Sequence, residues 1–314
     1  MALHGLAEIT VGVPDADATA AFYRDFGLTE ASTGTTLGTI AGGEQLRLVK
    51  RPYRQLVEVV VAAEDQDDIE RIRRAAGERA VADGDDVVVH EPLSGTAFRI
   101  AIRERVGLKA NEPGPYNSLG SVTRTTERSD AIYRHGPSAP HRLGHVLFAT
   151  PDVDASRDFF TSVLGFKLSD EVPGVIAFVR CSSDHHNVGL MHAPVPFFHH
   201  SSWEVEDIDA IGSGAQHLLA IDAKRNVWGL GRHFLGSNLF WYFRDPAGNY
   251  AEYFTDLDQI VDDEVWVART WEPDKALYTW GPPVPPEFLN PSDLDAIAAA
   301  REGDALAATT TAAR

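Results

Sequence analysis

The chain repeats itself, and the repeat limits what it can fold into. LHGLAEITVGVPDADATAAFYRDFGL (residues 3–28) resembles PHRLGHVLFATPDVDASRDFFTSVLGF (140–166) at an offset of 137. His4, Leu6, Pro14, Asp15, Asp17, Ala18 and Phe22 fall on His141, Leu143, Pro151, Asp152, Asp154, Ala155 and Phe159. A second match sets LVEVVVAAEDQDDIERI (56–72) against FHHSSWEVEDIDAIGS (198–213) at an offset of 142. Each of the four segments reads as an apolar strand, an acidic turn and the start of a short helix. Gly27 and Gly165 stand where a left-handed residue would end the first helix of each half. Self-similarity on this scale marks a duplicated supersecondary unit.

Further strands are expected over 46–51, 87–91 and 98–104 in the first half. In the second they are expected over 175–181, 188–192, 238–243 and 250–254. Their alternation suggests sheets with one wet face and one face turned to a shared interior. The class is therefore α+β with two domains, and 314 residues suffice for two cores. The expected division is 1–106, a Gly/Pro/Ser/Thr-rich linker over 107–140, a second domain over 141–260, an extension over 261–301 and a frayed tail over 302–314. Trp271, Tyr278, Trp280 and Phe288 need burial, so the extension is expected to fold back over the second domain.

A formal charge of -18 argues against nucleic acid or an anionic membrane surface as partner. No run of 18 apolar residues and no basic-then-apolar leader is seen, so a soluble, unexported protein is expected. Cys181 is the only cysteine, which excludes an internal disulfide and fits a reducing cytoplasm.

The second half also holds a candidate metal set. His145, His200 and Glu252 lie 55 and then 52 residues apart, each in its own strand-like segment. Two His and one carboxylate make the facial triad of non-heme Fe(II) sites, with one side left open for substrate and dioxygen. His199 precedes His200, and the spacing alone does not choose between them. Glu252 follows the tight turn DPAGN, in which Gly248 permits positive φ. Phe178, Met191, Phe197, Phe198 and Trp203 are candidates for an apolar ring-binding wall, and Arg232 for steering an acidic substituent.

The runs GRHFLGSNLFWYFRDPAGNYAEYF (231–254), HHSSWEVEDID (199–209) and HRLGHVLF (141–148) resemble the type I extradiol ring-cleavage dioxygenases of the vicinal oxygen chelate superfamily. The resemblance is specific over 141–254 and rests on the repeat alone over 1–105. It implies two domains, each of two βαβββ modules forming an open β-barrel, with metal only in the second. It further implies Fe(II), or Mn(II), with O2 as co-substrate, a small catechol cleaved beside its hydroxyls, and a homo-oligomer. The ligands it implies are His145, His200 and Glu252. His186 would be the acid–base catalyst, with His185 as an alternative. His233 and Tyr242 would hydrogen-bond the substrate. A glyoxalase-like isomerase or epimerase would share the barrel without needing His186, His233 and Tyr242 together. A non-catalytic binder would not need the triad.

In the first half the two offsets set Glu8 against His145 and Glu58 against His200. Gly95, set against Gly248, brings Arg99 onto Glu252. The expectation is a Glu-Arg-Glu charge cluster where the second half has its metal ligands.

Overall fold

The computed structural model describes residues 3–107, 115–273 and 277–312. Four βαβββ modules follow one another. The first holds β1 (Leu3–Val13), α1 (Ala16–Asp25), β2 (Thr29–Glu30), β3 (Thr36–Gly38) and β4 (Glu44–Lys50). The second holds β5 (Gln55–Ala63), α2 (Gln66–Ala76), β6 (Ala80–Asp83), β7 (Asp86–His90) and β8 (Ala97–Ile102). After the connection come β9 (Arg142–Thr150), α3 (Val153–Phe159), β10 (Lys167–Val172), β11 (Ile176–Arg180) and β12 (Val188–His192). The fourth comprises β13 (Phe197–Glu204), α4 (Ile208–Ile221), β14 (Asn226–His233), β15 (Leu239–Arg244) and β16 (Tyr250–Thr255). β17 (Arg269–Thr270), β18 (Tyr278–Trp280), α5 (Pro286–Leu289) and α6 (Leu294–Ala312) complete the chain.

Each helix starts where the sequence puts an aspartate. Asp15, Asp65, Asp152 and Asp207 have extended backbones, and each accepts a hydrogen bond from the amide three residues on. This satisfies one of the four orphan N–H groups of a first turn.

The modules pair into two sheets of matching order. The first runs β2-β3-β4-β1-β5-β8-β7-β6. The second runs β10-β11-β12-β9-β13-β16-β15-β14, with β17 and β18 added at its edges. The two central strand pairs share two bulges at equivalent places, and the first pair has a further irregularity at His4. The extra residues are Ala7 and Val57 in the first half, and Gly144 and His199 in the second. A bulge kinks its strand and re-aims the side chains beyond it.

The helices bury their apolar faces partly across the domain boundary. Phe26, at the end of α1, stacks on Tyr253 of β16 at 4.0 Å between ring centres. Tyr23 Oη lies 3.1 Å from Ser201 Oγ. In the reverse sense, Phe160 packs edge-on against Phe98 of β8 at 4.9 Å. One continuous apolar core spans both sheets.

Two expectations change. Residues 302–312 are not a frayed tail but continue α6, because the run is rich in alanine, the strongest helix former. Trp280 stays 45% exposed, while Phe288 is buried, so the extension folds back by its phenylalanine and not by that tryptophan. Residues 108–114 of the expected linker and 313–314 of the expected tail lie outside the described residues. Among the described residues no helix is long and apolar enough to cross a membrane.

Candidate metal centre and substrate cavity

Strand register brings the ligand set together. Ser202 of β13 pairs with His145 of β9 on one side and with Glu252 of β16 on the other. His200 lies two residues before Ser202, on the same face. His145 Nε2 is 3.1 Å and His200 Nε2 is 3.6 Å from Glu252 Oε2. All three groups are buried, and their ligand atoms lie within 4.8 Å of one another.

The bulge leaves His199 and His200 side by side, and their hydrogen bonds distinguish them. His199 Nε2 is 2.7 Å from the carbonyl oxygen of Phe288, which can only accept. His199 therefore carries its proton on Nε2 and offers a lone pair at Nδ1. His200 Nδ1 sits 2.7 Å from that lone pair and donates to it. The remaining lone pair of His200, on Nε2, is buried and has no partner among the described residues. An unprotonated, unpartnered imidazole nitrogen converging with a carboxylate is what a divalent ion needs. Burial pushes His200 well below the ordinary histidine value, and the neighbouring His199 adds to this, so the ring stays neutral. Burial works to raise Glu252, but the hydrogen bond from His145 holds it well below the usual carboxylate range. The donor set would therefore fit a divalent cation, and of the two neighbours it is His200, not His199, that presents a free nitrogen to it.

Glu252 has two further neighbours on its other oxygen. Asn238 Nδ2 donates to its Oε1 at 3.2 Å, and His233 Nε2 lies 3.6 Å from the same oxygen. His233 Nδ1 donates to Leu277 O at 2.5 Å, so its Nε2 accepts from Tyr242 Oη at 2.9 Å. On the other side, the His186 ring is 4.2 Å from that of His145 and 4.7 Å from Phe178. Burial, then the neighbouring His145, pushes His186 well below the ordinary histidine value. Burial and the charge of Glu252 push Tyr242 up.

A cavity opens on this face. His145, His186, His200, His233 and Tyr242 line it together with Phe178 and Met191. Its walls come from both halves of the second sheet, so that sheet wraps around a common interior. Leu147, Ile176 and Leu235 add apolar surface, and Leu277, Phe288 and Leu289 of the C-terminal extension close one side.

Two of the expected wall residues, and the arginine expected to steer a substituent, lie elsewhere. Phe198 precedes the bulge and pairs with Phe148 on the opposite face of the sheet, in the main core. Trp203 is on that face too, fully buried beside Tyr23, with Nε1 donating to Ser201 Oγ at 3.0 Å. Arg232 turns outward to Asp256, at 2.9 Å. Phe197 is not in the lining but belongs to the same apolar cluster as Phe178 and Met191.

Strand alternation around His145 and Phe178 pointed to Leu147 and Ile176, which the sequence reading passed over. Ser202 was legible by the same rule. Asn238, Leu277 and Leu289 carry no local signal, whereas Phe288 was among the aromatics expected to fold back.

Residues 142–253 match the Glyoxalase/Bleomycin resistance protein/Dioxygenase superfamily. Metapyrocatechase 2 of Cupriavidus necator is 31% identical over 304 residues, covering 92% of each chain. The chain belongs to the extradiol ring-cleavage dioxygenases. This extradiol dioxygenase shares its fold with homoprotocatechuate 2,3-dioxygenase from Arthrobacter globiformis, with a TM-score of 0.71 at 20% identity over 92% of this chain and 91% of that one. The Mn(II)-bound glyoxalase from Novosphingobium aromaticivorans has the same fold, with a TM-score of 0.66 at 22% identity over 93% and 98%. The extradiol dioxygenase half that matches the superfamily is the half that carries the His-His-Glu set.

Proposed function

We propose that the chain cleaves a catechol beside its paired hydroxyls with O2, using a divalent ion, Fe(II) or Mn(II), held by His145, His200 and Glu252. The observation that carries the reading is the convergence of His145 Nε2 and His200 Nε2 on Glu252 Oε2 in the wall of a cavity that also presents His186, His233 and Tyr242. A bound ion of that kind acidifies the catechol hydroxyls and brings O2 beside the ring.

The chain's own residues supply the rest. His186 is kept neutral by burial, so at neutral pH it can take a proton from the substrate and return it. Tyr242 holds its proton over the whole working range, and turning that proton from His233 to a substrate oxygen would let it meet negative charge growing there. His233, fixed by Leu277 O, orients that hydroxyl. The apolar walls exclude water from the site, which strengthens each of these contacts.

The same walls favour an uncharged ring substituent, alkyl or aryl. Among the described residues no Lys or Arg lines the cavity, and both nearby arginines are paired: Arg232 with Asp256, and Arg54 with Asp293. A carboxylated catechol would bury its charge without a partner, at a cost of several kcal/mol.

The test is to load the protein anaerobically with Fe(II), admit O2, and follow oxygen uptake and the yellow ring-fission product over a catechol panel. Turnover of alkyl- and aryl-catechols ahead of carboxylated ones is expected. Absence of oxygen uptake with every member would overturn the reading.

A further inference from the structure

We infer that Asp170 and His185 are positioning residues for His186, forming a hydrogen-bonded chain that fixes which nitrogen of His186 faces the cavity. The inference rests on the acid–base role proposed for His186 above.

The chain starts at a buried carboxylate. Asp170 lies in β10, where its Oδ1 accepts from the backbone N–H of Arg269 at 2.9 Å, at the point where β17 joins the sheet. Its Oδ2 is 3.1 Å from His185 Nε2. A carboxylate only accepts, so the proton of this bond sits on His185 Nε2. In the neutral ring the lone pair is then at Nδ1, 3.1 Å from His186 Nδ1. His186 must donate there, and its own lone pair is left on Nε2, the nitrogen not engaged by His185.

His185 has no freedom to undo this. It is fully buried, its backbone N–H donates to Asp258 O at 2.8 Å, and its ring meets Trp266 edge-on at 5.5 Å. Its place in the fold is behind His186, not in the cavity lining.

The consequence is chemical. A lone pair at His186 Nε2 can accept a proton from a hydroxyl in the cavity, whereas an N–H there could only donate. Once His186 has taken that proton its ring is a cation with N–H groups on both sides. The Nδ1–H stays bonded to His185, whose Nε2–H stays bonded to Asp170. No further proton moves, and the buried carboxylate stabilises the positive charge through one intervening ring. A base held by a second group that sets its tautomer is the logic of the serine-protease triad, here with imidazole between carboxylate and base.

The His199–His200 pair is built the same way, with a carbonyl oxygen in place of the carboxylate. There the receiving group is a proposed metal ligand that never needs to become charged. Only the His186 branch ends on an anion, and only His186 is asked to carry a proton.

Asp170→Asn separates this from simple bracing of the loop. The amide oxygen can keep the Arg269 N–H, while its NH2 turns to His185 and inverts both tautomers. In protein labelled with 15N-histidine, without metal or substrate, the parent should show His186 protonated at Nδ1 and the variant should show it protonated at Nε2. With Fe(II) bound, kcat should fall about 100-fold, within the usual range for acid–base groups, while KM changes by no more than about twofold. Asp170→Glu, which restores the acceptor, should recover the parental tautomer and most of kcat. Should Asp170→Asn fail to fold, His185→Leu removes the bridge, and mixed His186 tautomers with a comparable loss of kcat are expected.

Parental kcat with an inverted tautomer, or a lost kcat with the tautomer unchanged, would overturn the inference. Neither result touches the acid–base role itself. That role falls instead if His186→Phe turns over at the parental rate.

Discussion

At the scale of single residues, the site is made from two adjacent histidine pairs. In each, one imidazole is saturated by hydrogen bonds inside the protein and the next is left with a directed lone pair. His186→Phe should retain the ring packing against His145 and Phe178, keep metal content and anaerobic catechol binding, and lower turnover by about 10² to 10⁴. Metal analysis and single-turnover oxygen kinetics check this. The trio His145, His200 and Glu252 was legible because each stands in a recognisable strand, and strand pairing brings like faces together. The choice between His199 and His200 was not, since it depends on a carbonyl 89 residues away in the chain. Trp203, three residues past His200, lies on the opposite face by plain alternation, but Phe198 was misplaced for a related reason. A bulge shifts the alternation by one, and nothing in FFHHSSW announces it.

At the scale of elements, the four aspartate caps and the strand–helix order could be read directly, because capping and periodicity are local. The bulges, the two-residue strands and the helical end of the chain could not, because tertiary pairing or a weak propensity decides them. The segment 184–187, which carries His185 and His186, shows what holds a functional loop. Arg142 of β9 reaches Asp184 at 2.6 Å and Glu204 at 2.7 Å, and Gln259 Nε2 donates to Asp184 at 2.8 Å. Burial works to raise Asp184, but Arg142 holds it below the usual carboxylate value. A carboxyl lowered on folding contributes stability that is fully present above its unfolded pKa, near 3.9, and is lost as pH falls through the folded value. Asp184→Asn should therefore unfold more easily than the parent at pH 7, by about 3 kcal/mol for a broken buried pair. The gap should close progressively below about pH 4. Denaturant titrations at pH 7 and pH 3 measure both ends.

At the scale of the whole molecule, the first domain contributes no member of the ligand trio but supports it. Arg54, buried between β4 and β5, makes a two-point ion pair with Asp293 at 2.7 and 2.9 Å, and its Nη1 donates to the carbonyl of Phe198, next to the bulge that sets His200. Arg54→Met should weaken metal binding by roughly tenfold, as expected for loss of a charged hydrogen bond of about 1.5–3 kcal/mol, although the residue lies far from the ion in sequence. Competition with a chelator measures it, and an unchanged affinity would show that the bulge holds itself. Gly27 marks another such contact: a Cβ there would meet Ser138 O at 1.8 Å, and its φ of 103° already favours glycine.

The matching registers of the two sheets carry one more consequence. Val60 pairs with both Glu8 and Arg99, as Ser202 pairs with both His145 and Glu252. Arg99 reaches Glu58 at 3.3 Å, whereas Glu8 takes Arg47 instead, at 3.0 Å, so the charge cluster expected there divides between two arginines. The first half thus has the strand register of the His-His-Glu set without its side chains. Four exchanges, Glu8→His, Arg47→Ser, Glu58→His and Arg99→Glu, should turn that frame into a working cage. Equilibrium dialysis against cobalt would then find two ions bound per chain where the parent binds one.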